Sequence, residues 1–519
     1  KVVWLLLGRV FPYYDQRNLG FSSALMIKAI AKCTASTVTE MHEELNKLGD
    51  LGTVAQKVLQ TKKQTTLASE VLTIERIIEN LSKLPSLEGK GTVEQKINAI
   101  IELINDANPK EVKYIVRLVL EELRIGVSLG LIRDAIAISF HQEKSEIEKS
   151  FNIVGDYGEI AKLAKNNELK KAKLKPLRPL HLMLAVLVKD VKAGLDEVGV
   201  PAQLEYKYDG MRMQIHKQNN QIKIFTRNLE EVTDQFPEIV KNSKEYIKAK
   251  NCIVDGEAIC YHPKHKIYLP FQKISQRIKR KYDIEKLAQE FPIELNLFDI
   301  VYLDDEQIID LPLKQRVEIL KKIIQQEKWH IVIAKSIITG EETKAQEFYK
   351  QALKEGQEGM MFKNLNAPYK PGRYVGFMAK LKPTLEPLDV VITKAQYGEG
   401  KRASWLSSFT LSCRANNKLV EIGKVSTGIK EIEQEGISFK ELTEMLKPLI
   451  IQTNQNTVTV KPKIVLEIAY EEIQASQTYT SGYALRFPRV LRIRIDKDVS
   501  EINSLKDIKR IYEIQKKEK

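Results

Sequence analysis

EYKYDGMRM, residues 205–213, alternates apolar and charged side chains around one lysine, Lys207. The run that follows, QIHKQNNQIKIFTRN (214–228), sets Asn219 and Asn220 between two further alternating stretches, the pattern of a β-hairpin. The reading is a strand ending at Lys207, a turn at Asp209 and Gly210, and a hairpin beyond it. A lysine acts as a nucleophile only as the neutral amine, and at a reference pKa near 10.4 about one lysine in a thousand is neutral around pH 7.4. Positive charge from Arg212, Arg227, basic residues downstream or a bound metal ion would favour that neutral form. On the pattern K-x-D-G alone, a solvated lysine on a basic protein is the competing interpretation.

The chain has 519 residues, room for roughly three or four domains. Its formal charge of +14, from 82 Lys and Arg against 68 Asp and Glu, favours a polyanionic partner held on one face or groove. The cysteines Cys33, Cys252, Cys260 and Cys413 form no C-x-x-C pair, so neither a zinc module nor a disulfide framework follows, and a reducing intracellular setting is expected. Cys260, His262 and His265 lie close together but lack a fourth ligand, and read as a strand and its turn. No apolar run reaches the length of a membrane span and no secretory signal is visible. VVWLLL (2–7) reads as the inside of a helix behind a Lys1 that is not an initiator methionine, so the native chain is expected to begin further upstream.

Outward from the lysine, the organisation falls into three parts. Residues 1–175 carry a helical period, as in VEQKINAIIELIND (93–106) and EVKYIVRLVLEELRIG (111–126). Glycine breaks occur in LGDLGTVAQKVL (48–59), with Thr53 as a cap, and at Gly126 and Gly130. Such helix entries can present backbone N–H groups to DNA phosphates, with Arg124 and Arg133 adding charge, although helix termination is the commoner use of glycine. AKLAKNNELKKAKLKPLR (161–178) reads as an exposed linker. Residues 176–385 mix strands, such as NCIVDGEAICY (251–261) and IELNLFDIVYL (293–303), with helices, which fits an antiparallel α+β domain. Residues 386–519 contain several short strands with one helix near 439–449, which suits a small β-barrel such as an OB-fold.

KYDGMR resembles the nucleotidyl-lysine motif of ATP-dependent DNA ligases, a family related to RNA ligases and mRNA capping enzymes. Further motifs follow in the family order, and the N-terminal resemblance extends through RIGVSLGLIRDAI (124–136). The resemblance implies that Glu205 helps bind adenine, that Arg212 meets ribose or phosphate, and that Arg227 fills the next nucleotide position. VDGEAI (254–259) supplies Asp255 and Glu257; a carboxylate near a triphosphate needs an intervening Mg²⁺, and Glu257 is the expected ligand, while Asp255-Gly256 also reads as a hairpin turn. Phe298 would stack on adenine, against the ordinary use of such a residue as core. EGMMFK (358–363) offers Glu358 as a second metal carboxylate, and MAKLKP (378–383) offers Lys380 and Lys382 to the α-phosphate from one strand face. Arg373 resembles an arginine that precedes these lysines in relatives, although the loop here is a residue longer. In ALRFPRVLRIRIDK (484–497), Arg486, Arg489 and Lys497 would orient the leaving pyrophosphate, whereas Arg492 and Arg494 read as an exposed strand face.

The resemblance implies an ATP-dependent DNA ligase of the archaeal and eukaryotic replicative type. It would have a helical DNA-binding domain (1–175), an adenylation domain (176–385) and an OB-fold (386–519). It would use ATP and Mg²⁺, with Mn²⁺ as an alternative, on nicked double-stranded DNA, as a monomer without a membrane partner. A sliding clamp is a further partner on the same ground, and a cytoplasmic, nucleoid-associated location is expected if the source is archaeal. An RNA ligase or capping enzyme shares the lysine chemistry but leaves the helical region without a purpose. An NAD-dependent ligase would carry a cysteine-rich zinc module, and a non-catalytic DNA-binding scaffold would not need the lysine and its paired glutamates.

Overall fold

The computed structural model describes residues 1–517 apart from 61–71, 90, 279, 281, 384, 399–401, 403, 417, 432–436 and 455, and apart from the side chains of Asn46, Gln272, Arg373, Lys516 and Lys517. Two compact units form: Lys1–Val188 with Lys192–Gly340 and Met361–Ala379, and Lys189–Val191 with Glu341–Met360 and Lys380–Lys519.

The first unit opens with a helical region, including Ser23–Thr34, Val38–Leu48, Leu51–Gln60, Thr92–Asp106, Pro109–Val119 and Leu129–Ser139. Their apolar stripes meet in a core containing Met26, Ile30, Val54, Ile100 and Val116. Capping boxes at Thr37/Glu40 and Asn108/Glu111 start two of them. The cap of Leu51–Gln60 is Asp50 and not Thr53: Asp50 Oδ2 accepts the Thr53 N–H at 2.8 Å and also binds Arg117. Thr53 is three residues too late to cap, and its hydroxyl donates to the same carboxylate.

The segment expected as an exposed linker is only partly one. Its start belongs to the helix Tyr157–Lys165, and Leu169, Ala172 and Leu174 are buried while the lysines between them face outward. Its end is tied to a strand. His216 Nδ1 accepts the Leu177 N–H at 3.1 Å, and Gln214 Oε1 accepts that of Leu180 at 3.0 Å. Burial pushes the His216 pKa down to about 3, so the ring is neutral, and with Nδ1 accepting, Nε2 donates to Gln214.

The remainder of the unit is α+β. Strands β1 (Ala202–Lys207), β2 (Met211–Gln218), β3 (Gln221–Thr226), β4 (Asn251–Cys260) and β5 (Ile293–Leu303) supply its centre. One sheet runs β3–β2–β4–β5, antiparallel throughout, with the short strand Ile331–Ile333 parallel to β5. The β2–β3 hairpin turns at Asn219 and Asn220 as expected, Asn219 taking φ 52°. One face of this sheet buries Met211, Met213, Val254, Leu295 and Leu297; the opposite face carries polar groups. β1 belongs to a different sheet and pairs antiparallel with Ser336–Thr339.

The second unit is dominated by a coiled antiparallel sheet of seven strands, whose centre is Leu388–Tyr397 beside Leu406–Ala415 and Lys418–Val425. Register shifts at Ile392/Lys394 and Gln396/Tyr397 bend the central strand around a core that includes Val390, Phe409, Leu411, Leu442 and Ile468. The inserted helix is Phe439–Leu446, started by a Ser438/Glu441 capping box. Among the described residues no helix is long and apolar enough to cross a membrane.

Candidate active site

β1 ends at Lys207, half-buried, and β2 begins at Met211, so the turn falls on Asp209 and Gly210. Asp209 Oδ2 accepts the Phe271 N–H at 3.4 Å, and the Tyr208 hydroxyl accepts that of Lys335 at 2.9 Å, fixing the two residues that follow the lysine. Gly210 is required by close approach: a Cβ there would stand 2.5 Å from the Ala258 carbonyl oxygen and 2.8 Å from Glu257 Cγ. Gly210→Ala must therefore shift β4 or the turn, and the variant should melt below the wild type. An unchanged melting temperature would mean that the turn has room for a Cβ.

Alternation places Gln203, Glu205 and Lys207 on one face of β1. Glu205 is buried; its Oε1 accepts from Gln203 Nε2 at 2.6 Å and its Oε2 pairs with Lys363 Nζ at 2.6 Å. Lys363 lies in the strand Gly359–Asn364 and holds its ammonium 4.2 Å from the centre of the Phe298 ring. The buried carboxylate is thus oriented by two neighbours, and the lysine that orients it also contacts the aromatic ring.

The polar face of the second sheet is built around Arg212. Its Nε donates to Asp255 Oδ1 at 3.1 Å, Nη2 donates to Oδ2, and Nη1 donates to the Met183 carbonyl at 2.7 Å. Tyr369 adds its hydroxyl, donated to Asp255 Oδ2 at 2.9 Å. Burial opposes the charge on Arg212, but Asp255 outweighs it and raises the guanidinium pKa; burial and the same carboxylate push the Tyr369 phenol well up. Asp255 and Gly256 do not form the hairpin turn expected of that dipeptide. They lie inside β4, where Asp255 faces Gln214 and supplies the charge that Arg212 requires. Arg212 consequently supports the site's shape, most of its donors being committed within the fold.

Glu257 is half-buried, registered opposite Arg212 on β2 and Asn296 on β5. Between β4 and β5 the ladder steps from Asp255–Asp299 to Gly256–Leu297, so Phe298 is the extra residue of a bulge. The bulge turns the half-buried Phe298 toward the polar face, 5.4 Å from the Arg212 guanidinium carbon, instead of into the core. Phe298, Arg212, Lys363, Tyr369 and Met183 line one small pocket.

Other expected residues are more scattered. Arg227 is exposed just beyond β3. Arg373 lies in the short strand Gly372–Arg373, and its side chain is outside the described ones. In the second unit Lys380 is half-buried, and Lys382 pairs with Glu358 and, at 2.8 Å, with Glu471. Arg486 binds Glu472 at 3.1 Å, Arg489 is exposed, and Lys497 binds Asp389 at 2.6 Å. Arg492 is exposed as expected, but Arg494 is not. Asp389 takes it at 3.0 Å and Asp496 at 2.7 Å, leaving its side chain 12% exposed. Arg124 is bound by Glu122 and the Gly49 carbonyl, and Arg133 by Asp134 and Glu148, so the two arginines offered to DNA are engaged within the chain. His262 Nδ1 accepts the N–H groups of Lys264 and His265, which makes that stretch a turn. Among the described residues no group of three or more His, Cys, Asp or Glu stands ready for a metal ion. The carboxylates expected for Mg²⁺, Glu257 and Glu358, are both half-buried, and that cation takes one or two carboxylates together with substrate phosphates.

Sequence reasoning missed Gln203, Lys363 and Tyr369. Gln203 is two residues before Glu205 and Lys363 closes the quoted EGMMFK, so alternation and the motif each carried a signal; nothing local marks Tyr369.

A buried carboxylate, a lysine at a glycine turn and an aromatic residue re-aimed by a bulge form a site suited to a nucleotide. Family models for the ATP dependent DNA ligase domain, the DNA ligase N terminus and the ATP dependent DNA ligase C terminal region match residues 182–382, 1–137 and 402–497. The chain is 48% identical over 523 residues to a DNA ligase of Nanoarchaeum equitans and 41% identical over 535 residues to one of Methanocaldococcus jannaschii, in each case covering 99% of this chain and 92% of the relative. It belongs to the ATP-dependent DNA ligase family and is an enzyme of the ligase class. A solved structure named Pmar-Lig_PreS3, 17% identical, shares the multidomain fold with a TM-score of 0.55 over 90% of this chain and 99% of that one.

Proposed function

We propose that this ligase seals nicks with a 5′-phosphate and a 3′-hydroxyl in duplex DNA through an AMP carried on Lys207. The carrying observation is the lysine's position: it ends β1 at a turn only glycine can close, on the face of the buried Glu205. Lys207 Nζ attacks the α-phosphorus of ATP; the N–P bond forms as the P–O bond to pyrophosphate breaks and the amine loses its proton. An oxygen of the nick's 5′-phosphate then displaces the lysine, and finally the 3′-hydroxyl attacks that 5′-phosphorus and expels AMP. Phe298 stacks on the base and Glu205, held by Gln203 and Lys363, reads its edge. Lys380 and Lys382 meet the α-phosphate, Arg227 and Arg373 contribute further nucleotide contacts, and Arg486, Arg489 and Lys497 attend the pyrophosphate. Glu257 and Glu358 would hold Mg²⁺, which when bound offsets the phosphate charge.

The proposed domains are 1–175 for DNA binding, 176–385 for adenylation and 386–519 as the OB-fold. Incubation with α-labelled ATP and Mg²⁺, followed by mapping of the modified residue, tests the reading; label on any residue but Lys207 refutes it. Contacts to DNA should fall mainly on phosphates, given the charge of +14. With six or more phosphates engaged, affinity for a nicked duplex should drop about a thousandfold between roughly 50 and 200 mM salt and depend little on nick sequence. A flat salt titration by fluorescence anisotropy would contradict this.

A further inference from the structure

Lys382 is gripped by two carboxylates, Glu358 and Glu471, the latter at 2.8 Å. An ammonium has three N–H donors; two are committed here, and the triad carries one net negative charge. Burial pulls the Lys382 ammonium toward neutrality, but the two glutamates outweigh it and raise its pKa. In this arrangement two of the three donors of Lys382 are directed to carboxylates instead of to a phosphate. Glu471 is held there by the backbone. Its N–H donates to the Arg486 carbonyl at 3.0 Å, at the end of the ladder between Glu472–Ala475 and Tyr483–Arg486. The hairpin that delivers Glu471 to Lys382 therefore also carries Arg486, a residue offered to the pyrophosphate.

We infer that Glu471 is a positioning residue: it competes with the phosphates of Mg·ATP for Lys382. The inference rests on the nucleotide role proposed above for Lys382. A lysine cannot serve two carboxylates and a phosphate at full strength, so nucleotide binding and the Glu471 contact compete for one cation. Loss of that contact loosens the hairpin bearing Arg486, and the state of the phosphate site is thereby passed to the residues that handle the leaving group.

The test uses the full chain with Mg²⁺ and α,β-methylene ATP, whose α–β bridge does not transfer. Glu471→Gln should bind this analogue about threefold to tenfold more tightly than wild type, with the gain shrinking as salt rises. Glu471→Asp, which keeps the charge, should remain near wild type. By hydrogen exchange, the amides of 472–475 and 483–486 should speed up in wild type on adding the analogue, whereas in Glu471→Gln they are fast from the outset. Equal or weaker binding by Glu471→Gln, or a hairpin indifferent to the analogue in wild type, overturns the inference while leaving the ligase reading intact. Failure of wild type to bind the analogue at all sinks both.

Discussion

Lys207→Ala is expected to abolish transfer of label from ATP to the protein, a loss of at least about ten-thousandfold, because no other group replaces the attacking amine. Binding to nicked DNA should stay within about twofold, since phosphate contacts are spread over a chain with a charge of +14. Lys207→Arg separates chemistry from charge. It keeps a cation at the end of β1 but cannot supply a neutral nucleophile, so it too should be unlabelled. Given a nick already adenylylated on its 5′-phosphate, both variants should still seal it, because that last step asks nothing of the amine. Label retained at wild-type levels in either variant would end the proposal.

Asp255→Ala should be the most destabilising single change at the site. The carboxylate side chain is 2% exposed and its partner Arg212 is 16% exposed, so truncation strands a buried guanidinium. Breaking such a pair from one side costs about 3–5 kcal/mol, and the melting transition of the first unit should fall by on the order of 10 °C. Asp255→Asn, which keeps a hydrogen-bond acceptor but not the charge, should lie between. The double change Asp255→Leu with Arg212→Met should recover much of the stability, because the uncompensated charge is gone, yet not the self-adenylation. A single alanine variant that melts with the wild type would show that the pair is dispensable to the fold.

What the sequence made legible was local. Lys207, its turn and the hairpin beyond are determined within about twenty residues by alternation and by turn residues, and the structure has them where they are expected. Asp255-Gly256 carries the same kind of local turn signal and is nonetheless strand, because Arg212 on the adjacent strand requires a buried anion and β4 is fixed on both edges. Arg494 defeats the alternation rule for a similar reason. Arg494 lies just past the strand that ends at Ile493, and the carboxylate that takes it is Asp389, 105 residues earlier. The lysines of residues 161–178 conceal Leu169, Ala172 and Leu174, whose burial depends on surfaces supplied elsewhere. Lys363 and Tyr369 became visible only when distant strands were brought beside Glu205 and Asp255.

The network at Arg212 also bears on how the enzyme is made. Its members are Met183, Arg212, Asp255 and Tyr369, the last 157 positions beyond the arginine. A ribosome that has just released β4 has produced the ion pair but not the phenol that completes it. That polar face is therefore finished late in translation, and a product terminated before position 369 would leave Asp255 with the arginine but without the phenol.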